Sequence, residues 1–227
     1  MSYVFIAYKK QIYFSAFGFP FLGVRVLTGA IALGCSFIVS SGEIGAASTL
    51  CTVVLTLFAA GVLEEFVMIA IRKVQPEDNF ILATIIRTVF EELNAPRLGT
   101  VYSDPTTDNL FELFQEVKAC LWVAEIDGEI VGCCGIFPTA GLPSHCTELV
   151  KFYLSAKARG KGIGRELMAR SIISAKEFGY SSIYLESLPA FGDAISIYRK
   201  QGFETLTAPM GESGHPGCDV WMVKELA

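Results

Sequence analysis

Histidine and metal-ligand spacing are scarce in this chain, and each shortage narrows its chemistry. There are two histidines, His145 and His215, and the seven cysteines include no C-x-x-C pair. A Cys/His zinc site lacks its ligand spacing, and no metal is expected. The odd set Cys35, Cys51, Cys120, Cys133, Cys134, Cys146 and Cys218 sits mostly in apolar runs, which reads as buried free thiols of a reducing compartment. Neither histidine has the context of an activated Cys/His pair, which argues against covalent catalysis through cysteine. No Gly-Lys-Ser or Gly-Lys-Thr occurs, so a Walker loop is excluded. The formal net charge is −5, and a mildly acidic domain is a poor binder of nucleic acid, whose phosphates need many Lys and Arg contacts, so nucleic acid is not an expected partner.

Charge is scarcest at the beginning. Residues 1–67 carry Lys9, Lys10 and Arg25 against Glu43, Glu64 and Glu65, and residues 44–63 carry none. A run of that length is what a helix needs to cross a bilayer. The preceding run, drawing in residues 19–22, tolerates Arg25 only near one end, where a long side chain can reach the interface. Basic residues flank both runs on the outside, so the pattern fits a two-helix membrane hairpin over residues 20–63 with both ends cytoplasmic. A second reading stays open. Met68 opens a natural start for a soluble domain, and residues 1–67 are then a spurious N-terminal extension. The expected organisation is a hydrophobic segment, 1–67, followed by a catalytic domain, 68–227.

From Met68 onward the pattern alternates strand and helix periods. A strand is expected at 69–74. A helix follows, opened by Pro76, Glu77 and Asp78 and carrying Ile81, Leu82, Ile85, Ile86, Val89, Phe90 and Leu93 at helical spacing. A second helix is expected over 106–117. Two apolar runs, 121–126 and 129–137, flank Asp127-Gly128, a strong hairpin signal. Further strands are expected at 146–154, 182–186, 203–206 and 219–225, and helices at 162–178 and 191–200. Trp122 and Trp221 fall in strands and are expected in the core. The order β-α-α-β-β-β-α-β-α-β-β predicts an α/β fold, a mixed sheet with helices on both faces.

The chemistry concentrates in residues 148–168, E-L-V-K-F-Y-L-S-A-K-A-R-G-K-G-I-G-R-E-L-M. An apolar strand runs into a basic turn in which Gly160, Gly162 and Gly164 let the backbone approach a ligand. Their N–H groups can converge at the positive end of the next helix. Lys157, Arg159, Lys161 and Arg165 surround the same point, and a diphosphate is the natural guest. The dinucleotide fingerprint G-x-G-x-x-G is not met by this glycine spacing.

The turn resembles motif A, [QR]-x-x-G-x-[GA], of the GCN5-related N-acetyltransferase (GNAT) superfamily through Arg159, Gly162 and Gly164. Residues 188–203, L-P-A-F-G-D-A-I-S-I-Y-R-K-Q-G-F, resemble its motif B. The element order from Met68 on is also the family's, which implies the acyl-CoA N-acyltransferase fold. The resemblance implies acetyl-CoA as co-substrate, its diphosphate on the amides of Arg159, Gly160, Lys161, Gly162, Ile163, Gly164 and Arg165. The pantetheine arm is then expected to pair with the backbone of Phe152, Tyr153 and Leu154, as a cofactor strand. Tyr198 matches the family's acid, and Glu148 the strand position that serves as base in histone-modifying members. Phe191 stands where many members have Asn, which puts one contact to the cofactor in doubt. Glu186 and His215 are weaker candidates for holding the acceptor. The determinants of that acceptor are expected in the early helices and in loops 94–105, 138–147 and 207–218.

The implied activity is direct acetyl transfer to a primary amine of a small molecule. The alternative is a non-catalytic acyl-CoA-binding module tethered to the inner or plasma membrane. Oligomeric state is not legible.

Overall fold

The computed structural model describes residues 4–6, 13–15 and 68–226. The membrane hairpin expected over 20–63, Cys35 and Cys51 lie outside the described residues. Among the described residues no helix is long and apolar enough to cross a membrane. The chain divides into two compact units, Met1–Arg72 with Glu125–Glu129, and Lys73–Ala124 with Ile130–Ala227.

In the first unit, β1 (Val4–Ile6) and β2 (Tyr13–Ser15) pair antiparallel, with Phe5 opposite Phe14. Strand β3 (Ile69–Lys73) follows. Met68 and Asp127 exchange hydrogen bonds, the Met68 N–H donating to Asp127 Oδ1 at 2.8 Å and the Asp127 N–H to the Met68 carbonyl at 2.8 Å. Arg72 pairs with Glu125 at 2.7 Å. Asp127 and Gly128 both have positive φ, 52° and 82°, as the two-residue hairpin turn requires.

In the second unit, a short 3-10 turn at Pro76–Asp78 opens helix α1 (Asn79–Glu92), and the Gln75 N–H donates to Asp78 Oδ2 at 2.7 Å. The helix buries Leu82, Ala83, Ile86, Val89 and Phe90, while Ile81 and Leu93, expected on the same stripe, are exposed. The second helix is shorter than its period suggests. Residues 106–117 form a 3-10 turn, Pro105–Asp108, and the single turn α2 (Leu110–Leu113). Asn109 leaves the helical region at φ −133° and interrupts them. Leu110 and Phe114 still reach the core, and Val117 is exposed.

The remaining elements are β4 (Cys120–Ile126), β5 (Glu129–Phe137), β6 (Cys146–Leu154), α3 (Ile163–Glu177), β7 (Ser182–Ser187), α4 (Gly192–Lys200), β8 (Glu204–Leu206) and β9 (Val220–Glu225). Each lies within about two residues of its sequence expectation, the usual uncertainty of element ends. The seven-stranded mixed sheet runs β3-β4-β5-β6-β7-β9-β8. Helices cover both faces. Leu121, Val123 and Cys133 join the cluster of Leu82, Ile86 and Phe90 beneath α1, while Trp122 Nε1 donates to Ser174 of α3 at 3.2 Å. A strand buried on both faces reads as a continuous apolar run, which accounts for Val131, Cys133, Cys134 and Ile136 in β5. The tryptophans depart from expectation. Trp122 and Trp221 are half-buried, and Trp122 lies between the Lys73 and Arg170 cations at 5.9 and 5.3 Å. An indole with a polar edge and cations over its ring sits better at the rim of a core than inside it.

Two irregularities of β6 place the site. Parallel pairing with β7 stops after Cys146↔Ser182, Thr147↔Ile183 and Glu148↔Tyr184, while β7 runs on to Ser187 paired with β9 along its other edge. The sheet therefore opens immediately after Glu148. On its other side β6 pairs with β5, but the register shifts between Cys133↔Tyr153 and Gly135↔Val150, leaving β6 one residue longer. Lys151, at φ +55°, lies in this bulge. The extra residue reverses the alternation, so Glu148, Val150 and Lys151 line one face, while Phe152 and Leu154 lie against α3.

Candidate active site

The basic turn has the shape of an anion cradle. After β6 a 3-10 turn, Ala156–Ala158, leads to Gly160 and Gly162 at φ +74° and +79°. Helix α3 then begins without a side-chain cap. The first N–H groups of a helix have no intrahelical acceptor, so those of Ile163, Gly164 and Arg165 face outward at its positive end. Gly164 is where the helix meets the strand, since a Cβ there would come within 3.0 Å of Leu154 Cδ1 and 3.1 Å of Phe152 Cζ. Arg159 braces the turn through Nε to the Leu154 carbonyl at 3.2 Å and Nη2 to Glu92 at 2.5 Å. Lys161 is half-buried and Arg165 exposed. Ser155 Oγ, at the head of the turn, is buried with no hydrogen-bond partner. These donors and this curvature fit a diphosphate and a polar arm running from it.

On the other face a cavity of about 470 Å³ is lined by all three loops expected to select the acceptor. Gly99, Ser103 and Asp104 come from the first, Thr139 and Ala140 from the second, Glu212, Ser213 and His215 from the third. Glu148, Val150 and Lys151 form its floor. Glu148 is 4% exposed and accepts a short hydrogen bond from the Thr139 hydroxyl. Burial raises its carboxyl from the ordinary 4.5 to about 7, helped by the nearby Glu186 charge and opposed by Thr139 and Lys151. Lys151 is driven below its ordinary value by burial, against the pull of Asp104. Burial also disfavours charge on Asp104, but Lys151, the Thr106 N–H and His215 together outweigh it and hold that carboxyl at about 2.

Tyr198 is elsewhere. It lies on α4, 6% exposed, its ring 5.9 Å from Phe152 and 5.8 Å from Phe203, and it is not among the residues lining the cavity. Burial pushes its hydroxyl well above the ordinary tyrosine value, so it keeps its proton. Phe191 fills an aromatic cluster, 5.1 Å from Phe90 and 6.1 Å from Tyr153. Its position is thus accounted for by packing. Glu186 braces the third loop by accepting from Ser213 at 2.6 Å and Tyr184 at 2.8 Å, whereas His215 lines the cavity itself. Cys120, Cys133, Cys134 and Cys146 are buried and free, and Cys218 is half-buried and free. Burial pushes the Cys134 and Cys218 thiols up to about 12.

Asp104, Thr139 and Lys151 were not singled out by the sequence. Asp104 had one readable signal, D-P-T, which caps the 3-10 turn through its bond to Thr106. Lys151 had none, because a lysine within an apolar strand does not by itself mark a bulge.

A mixed sheet split beside a glycine-rich helix start is the acyl-CoA N-acyltransferase fold. The family model described as Acetyltransferase (GNAT) family matches residues 86–203. The chain is also 36% identical over 157 residues to the Uncharacterized N-acetyltransferase YjgM of Escherichia coli strain K12, covering 68% of this chain and 93% of that protein. It therefore belongs to the GNAT family of acetyltransferases. An acetyltransferase of the GNAT family from Staphylococcus aureus Mu50 superposes with a TM-score of 0.62 at 21% identity, covering 70% of this chain and 99% of the other. The structure of YncA, a putative acetyltransferase from Salmonella typhimurium with its cofactor acetyl-CoA, superposes at 0.56 and 20% identity, covering 70% and 94%.

Proposed function

We propose that the protein transfers an acetyl group from acetyl-CoA directly to a primary amine of a small molecule. The observation that carries this reading is Glu148, a buried carboxyl at about 7, lining a cavity at the point where the sheet opens. A cavity of about 470 Å³ suits a small molecule. With Asp104 balancing the buried Lys151, Glu148 and Glu212 in its lining suit an amine that arrives as ammonium.

Bound acetyl-CoA would supply the activated acetyl thioester. The amides from Arg159 to Arg165 would hold its diphosphate, and the backbone of Phe152, Tyr153 and Leu154 its pantetheine arm, in keeping with the opening of the sheet after Glu148. Backbone N–H donors of that opened edge are suited to the oxyanion that develops on acyl transfer. Glu148 acts as general base on the ammonium. A group at about 7 is ionised for a large part of its molecules at neutral pH and is still basic enough to take the proton. Tyr198, which keeps its proton, acts as general acid for the departing thiolate.

Thiol release by the full-length protein with acetyl-CoA and a panel of amines tests the reading. Acceptor-dependent release that rises through pH about 7 is expected. Binding of acetyl-CoA with no amine-dependent release would favour the binding module instead.

A further inference from the structure

Three walls of the acceptor cavity meet on one carboxylate that takes neither catalytic role. Asp104 Oδ1 accepts from the Thr106 N–H at 2.8 Å. Its Oδ2 takes Lys151 Nζ at 3.3 Å and lies 3.1 Å from His215 Nε2. One link reaches the bulge of β6 and the other the loop after β8. The side chains of Lys151, Asp104 and His215 are 4%, 19% and 14% exposed, so the junction is largely shielded from water. The other contact of Lys151 is Thr107 Oγ1 at 3.3 Å, and that hydroxyl donates to the Val101 carbonyl at 2.8 Å.

A buried ammonium needs a counter-charge. Lys151 has two carboxylates within its field, Asp104 and, three residues back on its own strand, Glu148. The direct ion pair is with Asp104. Glu148 is left with the Thr139 hydroxyl. We propose that Asp104 is a positioning residue of the acceptor site: by holding Lys151 and His215 on one carboxylate it keeps the ammonium off Glu148 and fastens the third loop over the cavity. The inference rests on the proposed role of Glu148 as base.

The groups facing Glu148 are Lys151 from its own strand, Glu186 and Tyr184 from β7, and Cys146 and Cys218. Lys151 is the cation among them. Its other neighbours are Asp104 and Cys133, and Asp104 faces His215 as well. With Asp104 made neutral, Lys151 turns its charge on Glu148 and favours the ionised carboxylate, while the third loop loses its tie.

The test is the pH profile of acceptor kcat/KM for full-length wild type, D104N, D104E, D104N/K151M and E148Q, with the KM for acetyl-CoA measured alongside. In D104N the acidic limb is expected to move down by about one pH unit. The acceptor KM is expected to rise about tenfold, as for loss of a charge-assisted hydrogen bond, with the acetyl-CoA KM unchanged. D104E keeps the limb of the wild type. D104N/K151M, which removes the buried charge together with its partner, returns the limb to the wild-type position or above it, because Lys151 already favours the ionised Glu148 in the wild type; it keeps the raised acceptor KM and carries the comparison if D104N does not fold. An unmoved limb in D104N, or a limb in D104N/K151M that stays below that of the wild type, overturns the inference while leaving Glu148 as base. A wild-type profile without an acidic limb, or a limb retained in E148Q, overturns the role of Glu148 and with it this inference.

Discussion

At the scale of single residues, the proposed chemistry turns on two buried groups, Glu148 and Tyr198, whose protons burial holds more tightly than water would. Glu148 is raised to about 7 by burial, so activity that needs it ionised increases as pH rises through 7. The same shift acts on stability with the opposite sign. Between 4.5 and 7 the folded state keeps a proton that the unfolded state has released, so Glu148 costs stability as pH rises across that window. Glu148→Gln is expected to lower kcat/KM for the acceptor by about 10²–10⁴ and to flatten the acidic limb. A variant with full turnover and an unchanged profile removes the assignment. For Tyr198, whose hydroxyl burial keeps protonated, Tyr198→Phe is expected to reduce kcat with little change in acetyl-CoA binding, as read by isothermal calorimetry beside steady-state rates. Unchanged kcat would leave Tyr198 as a packing residue between Phe152 and Phe203.

At the scale of elements, the proposed donor cradle depends on one turn adopting a left-handed conformation. Nothing lies within 4 Å of a Cβ placed on Gly162, so a substitution there meets no neighbour. Its difficulty is the backbone, held at φ +79°. Gly162→Ala is therefore expected to cost about 1–2 kcal/mol of stability. It is also expected to weaken acetyl-CoA binding by re-aiming the first amides of α3, with the acceptor KM unaffected. Equal loss for both substrates would mean that the turn serves the fold and not the cradle. Much of this element was legible beforehand, because glycines at alternate positions before an amphipathic helix leave few alternatives. The bulge in β6 was not. Residues 146–154 read as one mostly apolar strand interrupted by Thr147, Glu148 and Lys151, and the extra residue at Lys151 is revealed only by the register against β5. The short second helix was misjudged for a related reason. Leu110, Leu113 and Phe114 keep helical spacing, but Asn109 breaks the backbone where periodicity carries no mark.

At the scale of the whole molecule, the family assignment concerns residues 86–203 and the fold around them, and the segment before Met68 is a separate question. The proposal that residues 20–63 anchor the protein rests on the charge-free run at 44–63. It predicts that full-length protein sediments with membranes and needs detergent for release. Recovery in the soluble fraction without detergent would overturn it.

The sequence alone determined the order of elements, the glycine-rich turn and the family, since these depend on local periodicity, on glycine spacing and on motifs contiguous in the chain. Tertiary structure decided the cavity proposed for the acceptor. Asp104, Thr139, Lys151 and His215 are distant in sequence and meet because three loops close over the opened strand. What it settled about Glu148 was its burial, a property of every element packed around a residue and not of its neighbours along the chain.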